Sequence, residues 1–292
     1  MKYNIVHLTR YVYTDVVTLC HNQAHLTPRE SERQQCISCK LDISPLPATV
    51  QPWVNAFGNT ATYFSIEQSH RELSLVARSQ VEVLSTTVPR DRCRLPWEQA
   101  AARIDSPGFL KEHDPLTLIY LSNRLSHGED VRQYARESFP AGRPQFDAVM
   151  DLTRRIYSDF AYDPKATSIR TTPSEILESR RGVCQDFAHL QITCLRALGL
   201  LARYVSGYLV TQPPPGKPRL VGADATHAWA SVFFPDWGWV DFDPTNNRLA
   251  DGDYITLAWG RDYADVSPVR GVFIGGGAHQ MSVAVDVVPS GN

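Results

Sequence analysis

The residues from Ser179 to Leu198, SRRGVCQDFAHLQITCLRAL, combine an amphipathic helix with a cysteine at its start. Apolar side chains recur at helical spacing from Phe187 onward, and Gly199 follows where helices commonly end in a left-handed residue. We therefore predict a helix from about Val183 to Leu198. Its unpaired N–H groups and the positive end of its dipole favour the thiolate form of Cys184. Alone, such a cysteine is better explained as a small buried hydrophobic residue.

The composition is that of an ordinary globular protein, with 292 residues, 43% hydrophobic and 21% charged. A formal net charge of -2 predicts no nucleic-acid partner and no anionic membrane partner. No apolar run approaches the roughly 20 residues that a membrane helix needs, and the N-terminal MKYNIVHLTRYVY lacks the apolar core of a signal peptide. We therefore expect a soluble cytoplasmic protein, whose oligomeric state the sequence does not specify.

The cysteine pattern argues against disulfides and against a metal site. Six cysteines are too few and too irregularly spaced for a disulfide framework in a chain of this size, so we expect reduced thiols. Cys36 and Cys39 form a CxxC, but no second CxxC or histidine pair completes a zinc site. No calcium loop of the DxDxDG type is present. The sequence thus predicts no metal and no cofactor.

The chain is predicted to divide into three parts. Residues 1–90 alternate polar and apolar side chains between turn signals, which is typical of a small antiparallel sandwich. Residues 91–143 are less regular, with one helix around Asp130 to Phe139, and we interpret them as a connection. Residues 144–292 begin with an amphipathic helix. Within them, Thr172 to Glu175 supply a capping box and a proline at the first helical position.

Strands follow the cysteine-bearing helix. β-Branched and aromatic residues predict strands at Arg203–Val210, His227–Phe234 and Trp239–Asp243, and the C-terminal QMSVAVDVV predicts a last one. The second and third strands are joined across Pro235–Gly238 as a hairpin. The fold class is therefore α+β. A β-rich, sandwich-like N-terminal domain precedes a core in which the nucleophile-bearing helix packs on an antiparallel sheet.

The predicted hairpin carries a candidate base and a candidate acid. A thiol nucleophile needs a base for its proton and an acceptor that orients the base, and Cys184, His227 and Asp243 supply these types. If the hairpin loop holds an odd number of residues, Asp243 lies opposite Trp229, on the same face as His227 and about 7–8 Å away diagonally. An even-numbered loop would turn the two side chains to opposite faces. Asp241 shares this face but lies one residue pair further away.

These segments carry a family resemblance. RRGVCQDFAHL, ARYVSGYL and HAWASVFFPDWGWVDFDPTNN resemble the core of the transglutaminase-like superfamily, specifically its bacterial cysteine protease branch. The close match covers roughly Tyr157 to Asn247, and the β region from Tyr3 to Val83 resembles the N-terminal region of that branch. The resemblance implies a papain-like core with Cys184 as the nucleophile, His227 as the general base and Asp243 as the orienting acid.

The implied chemistry leaves several functions open. Cys184 would attack an amide carbonyl to form a thioester, and His227 would protonate the departing amine. Water resolves the thioester in a protease or amidase, and an amine does so in a transglutaminase. Our first interpretation is a hydrolase acting on a peptide or protein amide. The alternatives are a calcium-independent protein-glutamine acyltransferase and a non-catalytic scaffold, which would be expected to lack a triad residue.

Three further residues are weaker candidates for the site. Tyr162 could donate to the oxyanion beside the backbone N–H of Cys184, although a packed aromatic explains it better. Gln185 could contact substrate, but exposure in the first helical turn explains it nearly as well. Trp229 could form a wall of the cleft or belong to the core.

Two other features bear on the site. Asp186 lies in the first helical turn, where a carboxylate stabilises the helix dipole, and Arg181 or Arg203 could pair with it. The proline-rich residues 211–218 and the N-terminal domain are the expected determinants of substrate choice, since loops on a rigid scaffold usually carry specificity.

Overall fold

The computed structural model describes residues 1–85, 87–88, 93–106, 109, 128–211 and 225–290. Apart from Thr211, the proline-rich loop at 211–218 lies outside these residues. The described helices are α1 (Trp97–Ile104), α2 (Glu129–Arg136), α3 (Gln145–Asp159), α4 (Pro173–Ser179), α5 (Cys184–Ala197) and α6 (Tyr263–Val266). The strands are β1 (Lys2–Ala24), β2 (Gln34–Ser44), β3 (Thr49–Val54), β4 (Thr60–Ile66), β5 (His70–Val83), β6 (Ala161–Tyr162), β7 (Arg181–Gly182), β8 (Ala202–Leu209), β9 (Ala225–Phe234), β10 (Gly238–Asp243), β11 (Arg248–Leu249), β12 (Tyr254–Gly260), β13 (Val269–Gly275) and β14 (His279–Pro289).

The N-terminal sheet is organised around the long strand β1. The first half of β1 pairs with β5 and β14, and its second half pairs with β4 and β13. The register of β1 against β5 shifts between Val12 and Val17, where the neighbours change. Alternate side chains of β1, including Tyr3 and Ile5, are buried as the period-two pattern predicts. The last two strands of the chain therefore complete a sheet that begins at residue 2.

The core sheet has the strand order β11-β10-β9-β8-β12, and all of its pairings are antiparallel. On β9, Ala228, Ala230 and Val232 pack with the helices in one hydrophobic cluster. Trp229 belongs to a different cluster with Val205 and other side chains. Because side chains alternate along a strand, this separates a face that meets α5 from a face turned away from it.

Helix α5 is the central element of the core. Every residue from Asp186 to Ala197 is buried, between the sheet and the helices α2, α3 and α4. The helix begins at Cys184 and ends before Gly199, whose φ of 79° supplies the left-handed turn. The predicted helix bounds and the predicted capping box at Thr172 are both confirmed.

Side-chain contacts join the two sheets. Tyr3 and Ile5 of β1 share a cluster with Tyr208 of β8, and the Tyr3 hydroxyl donates to the Gly252 carbonyl at 2.8 Å. The Gln34 amide donates to the Thr256 carbonyl at 2.7 Å. The α+β class is confirmed, with a helix-backed antiparallel sheet after a β-rich N-terminal part. The division at residues 90 and 143 stays a prediction, and residues 269–289 pair with the N-terminal sheet. Among the described residues, no helix is long and apolar enough to cross a membrane.

Candidate active site

Cys184 is the first residue of α5, and Val183 is its N-cap. The backbone N–H of Val183 donates to Asp186 Oδ2 at 2.9 Å, and the Thr167 hydroxyl donates to the same oxygen at 2.7 Å. Burial raises the pKa of Asp186, while these two hydrogen bonds oppose that change. Asp186 therefore fixes the turn that presents Cys184.

The predicted arginine partner of Asp186 is wrong. Arg181 pairs with Asp163 at 3.3 Å, and Arg203 stacks on two tryptophans on the other face of the core sheet. A hydroxyl and a backbone N–H satisfy the Asp186 carboxylate instead, so it needs no cation.

The hairpin has the predicted register. Phe234 pairs with Gly238 and Ala230 pairs with Phe242, so the loop holds only Pro235, Asp236 and Trp237. This odd number continues the ladder so that Asp243 comes opposite Trp229, on the same face as His227. The prediction of a shared face is confirmed.

His227 and Asp243 are in direct contact. His227 Nε2 lies 2.7 Å from Asp243 Oδ2, and the Asp243 side chain has an exposed fraction of 0%. The imidazole also interacts with the side chain of Cys184, through hydrogen bonding and through charge. Since Nε2 faces Asp243, Nδ1 is the ring nitrogen left for the thiol. The structure thus brings together all three residues that the sequence singled out.

Four groups besides His227 Nε2 donate to Asp243. The Tyr254 hydroxyl and Asn246 Nδ2 each donate to Oδ2 at 2.6 Å. The backbone N–H groups of Thr245 and Asn246 donate to Oδ1 at 2.8 and 3.3 Å. Sequence reasoning missed Tyr254 and Asn246. The DPTN turn carried a usable signal only for the backbone N–H of Thr245, because an aspartate often accepts from the backbone two residues later, whereas Tyr254 comes from a distant strand.

The electrostatics favour a charged imidazole. Burial lowers the pKa of His227, but the hydrogen bonds and charges of Asp243 and Cys184 outweigh it and raise that pKa to about 10. Burial raises the pKa of Asp243, yet His227, Tyr254 and Asn246 together hold it below its ordinary value. At neutral pH the pair is therefore an imidazolium and a carboxylate.

The three weaker candidates, Tyr162, Gln185 and Trp229, differ in how far they are buried. Tyr162 on β6 pairs with Gly182 on β7, the strand that leads into Cys184. Tyr162 has an exposed fraction of 58%. Burial raises the pKa of Tyr162, and the nearby charges of Cys184 and Asp186 add to this. Gln185 is half-buried beside the cysteine. Trp229 is fully buried with its ring centroid 6.1 Å from that of His227, so it backs the imidazole from the core.

The described residues contain no group of three or more His, Cys, Asp or Glu side chains that could hold a metal ion. Cys36 and Cys39 both lie on β2, and burial raises the pKa of each thiol. The chemistry that these residues offer is that of a thiol, an imidazole and a carboxylate.

Comparisons with known proteins point to one superfamily. Residues 3–82 match the bacterial transglutaminase-like N-terminal region, and residues 132–244 match the transglutaminase-like superfamily. An uncharacterized protein of Mycobacterium tuberculosis is 44% identical over 299 residues, which cover 99% of this chain and 93% of that protein. A protein-glutamine gamma-glutamyltransferase of Pseudomonas aeruginosa is 33% identical over 138 residues, which cover 44% of this chain and 21% of that protein.

A solved structure supports the fold. It is described as a "Putative Cysteine Protease" from Cytophaga hutchinsonii, and it aligns with a TM-score of 0.76 over 100% of this chain and 92% of that chain. Its 19% identity limits the likeness to the fold. The chain therefore belongs to the transglutaminase-like superfamily and carries the bacterial transglutaminase-like N-terminal region.

Proposed function

We propose that this protein is a cysteine-dependent hydrolase of peptide or protein amide bonds, with Cys184, His227 and Asp243 as its catalytic triad. The observation that carries the proposal is the imidazole of His227, which contacts Asp243 at 2.7 Å and also interacts with the side chain of Cys184. A thiol at a helix N-terminus with an oriented imidazole is the arrangement that activates a cysteine nucleophile.

In the proposed reaction, the Cys184 sulfur attacks the amide carbonyl and forms a tetrahedral intermediate. The backbone N–H of Cys184 at the start of α5 donates to its oxyanion, and Tyr162 is the side chain that we assign as a second donor. The imidazolium of His227 then gives its proton to the departing amine, which leaves a thioester on Cys184. Water activated by His227 hydrolyses the thioester and regenerates the thiol.

Asp243 acts through His227 in this scheme. Its carboxylate fixes the orientation of the ring and stabilises the imidazolium between the two half-reactions. Five donors hold that carboxylate, so it cannot rotate away when the charge on His227 changes. Tyr162, which is exposed, and Gln185, which is half-buried beside Cys184, are the residues that we expect to contact the substrate.

The second candidate function is acyl transfer from a glutamine carboxamide to an amine. The similarity to the Pseudomonas aeruginosa protein-glutamine gamma-glutamyltransferase favours it. Both reactions share the thioester and differ in what resolves it. Hydrolysis is our first choice because water is always present, whereas transfer also needs an amine that is held in preference to water.

A paired assay separates these reactions. Hydrolysis of fluorogenic peptides and incorporation of a fluorescent primary amine into casein are measured with the same wild-type protein. We expect peptide release without amine incorporation. Cys184→Ala should abolish turnover, while Cys36→Ser, at a half-buried cysteine of the N-terminal sheet, should leave it unchanged. Turnover by Cys184→Ala would contradict the mechanism, and dominant amine incorporation would select the transferase.

A non-catalytic scaffold is tested by alkylation. If His227 activates Cys184, then His227→Gln should slow the reaction of Cys184 with iodoacetamide at pH 7 by about tenfold or more, since the thiolate loses its cationic partner. Equal rates in the two proteins would favour the scaffold.

We also assign the protein to the cytoplasm, because all six of its cysteines are free and a reducing compartment keeps them so.

A further inference from the structure

A cleft of about 880 Å³ lies between the N-terminal sheet and the face of the core sheet turned away from α5. Its walls come from the turn before β2, the end of β5, and the strands β8, β10 and β12. Neither Cys184 nor His227 lines it, and it adjoins the candidate active site through Tyr254. A cleft of this volume is in the range of small-molecule sites.

Arg203 presents an unpartnered cation to this cleft. Its guanidinium carbon lies 4.0 Å from the ring centroid of Trp239 and 3.5 Å from that of Trp259, and the residue is only 8% exposed. None of its nitrogens is hydrogen-bonded to a described residue, and Nε is fully buried without a partner. Because Nε is enclosed, the two terminal nitrogens of the guanidinium are the donors that a ligand in the cleft can reach.

A neighbouring arginine shows what a purely structural stack looks like. Arg29 also lies over Trp259, at 3.5 Å, and it donates to the Asn59 side chain at 2.6 Å. Arg203 makes the same aromatic contact without any such acceptor. The stack alone therefore does not account for the donors that Arg203 presents to the cleft.

Arg203 stays charged at neutral pH. Burial lowers its pKa to about 9, against the favourable charge of Asp241 and together with the repulsion of Arg29. Asp241 lies two strands away on the same sheet face, opposite Ser231, which in turn pairs with Arg203. It forms no ion pair with the guanidinium, so the cation is available to a ligand.

The surroundings select the ligand chemistry. A guanidinium binds a planar carboxylate in a bidentate manner, through two parallel hydrogen bonds. The indoles of Trp237, Trp239 and Trp259 line the cleft and suit an apolar body. The other charged residues that line it are Glu32, Arg33, Asp241 and Asp251. With Arg203 they sum to two cations and three anions, so a dianion such as phosphate would be repelled more strongly than a monocarboxylate.

We propose that the cleft binds a small organic monocarboxylate with an aromatic or aliphatic body, whose carboxylate pairs with Arg203 between Trp239 and Trp259. This assignment does not depend on the activity of Cys184. The ligand would also lie against Tyr254, which lines the cleft and donates to Asp243.

The test measures binding of 3-phenylpropionate to the full chain by isothermal titration calorimetry. We expect 3-phenylpropionamide, which has the same shape without the charge, to bind at least about tenfold more weakly. Arg203→Gln should weaken binding of the carboxylate by a similar factor. Asp241→Asn should strengthen it by about threefold or more, because the ligand no longer faces a competing anion. Arg10→Gln, which removes an exposed arginine paired with Glu72, should change nothing.

The opposite responses of the two cleft variants keep the proposal falsifiable. If Arg203→Gln does not fold, as judged by its thermal transition, the amide comparison and Asp241→Asn still decide. The proposal would be overturned if the carboxylate and the amide bind equally well, or if Asp241→Asn leaves the affinity unchanged. It would also be overturned if no binding is seen at 10 mM ligand, which is about 100 times a Kd of 0.1 mM. Cys184→Ala should bind as the wild type does, so a failure of the proposed catalysis leaves this result independent.

Discussion

Tyr254→Phe is the sharpest test of how the Asp243 carboxylate is held. The substitution keeps the buried ring and removes only the hydroxyl that donates to Asp243 Oδ2 at 2.6 Å. That oxygen keeps two other donors, His227 Nε2 at 2.7 Å and Asn246 Nδ2 at 2.6 Å. The change therefore isolates one hydrogen bond to a fully buried charge.

The magnitude follows from that count. Hydrogen bonds to charged groups contribute about 1.5–3 kcal/mol to stability, and because two donors remain we take the lower end, about 1.5 kcal/mol. Tyr254 is one of the groups that hold the pKa of Asp243 below its ordinary value. A depressed carboxylate pKa stabilises the fold above the pKa of the unfolded chain and loses that contribution as pH falls through the folded pKa. Tyr254→Phe should therefore lower the free energy of unfolding at pH 7.

Two measurements follow from this reasoning. Urea unfolding at pH 7 should show a loss of about 1.5 kcal/mol. The acid limb of the pH profile of kcat/KM should move upward by about 1 pH unit, because 1.36 kcal/mol corresponds to a tenfold change in proton affinity. The basic limb should not move down, since a carboxylate with fewer donors holds the imidazolium of His227 at least as firmly.

Tyr134→Phe is the matched control. Its hydroxyl donates to Asp159 Oδ2 at 2.9 Å, so the variant removes the same kind of hydrogen bond between a tyrosine and a carboxylate, here between α2 and α3. It should cost stability without moving either limb of the pH profile. If both variants leave the acid limb of kcat/KM in place, the argument that Tyr254 tunes Asp243 is refuted.

Three further predictions concern the same site and its support. The extra stability of the wild type over His227→Gln should be constant below pH about 6.5 and be lost as pH rises towards about 10, because the raised pKa of His227 stabilises only the protonated ring; urea unfolding at several pH values measures it. Asn246→Ala should lower kcat by about tenfold, with a smaller effect on KM, because Asp243 loses a donor. Gly207→Ala should destabilise the fold by about 2 kcal/mol or more in thermal unfolding, since the added Cβ would lie 2.1 Å from a backbone oxygen of β12. Gly252→Ala should be close to neutral, because the atom nearest to its added Cβ is 3.7 Å away.

The parts of the site that the sequence predicted are those set by local rules. Helix α5 ends where Gly199 permits a left-handed residue, and the capping box at Thr172 opens α4. The shared face of His227 and Asp243 depends only on whether the hairpin loop is odd or even. Each of these is a discrete choice that a few neighbouring residues decide.

The missed contacts depend on long-range geometry instead. Tyr254 begins β12, which pairs with β8 and not with β10, yet its hydroxyl reaches Asp243 at the end of β10. This contact exists because the antiparallel sheet curls, and the amount of curl is a continuous quantity that no short motif encodes. The Thr167 hydroxyl that satisfies Asp186 likewise comes from a loop before α4, without periodicity that could place it.

The strand pairings explain why Arg203 does not reach Asp186. Arg203 lies opposite Ser231, and Ser231 lies opposite Asp241, so the three side chains share one face of the sheet. His227 and Asp243 point to that same face, whereas Tyr204, the next residue on β8, packs with the helices. Arg203 is held on this face between Trp239 and Trp259, so it does not pair with Asp186. The register of β8 against β9 therefore directs Arg203 towards the cleft, and a hydroxyl and a backbone N–H are the donors to Asp186.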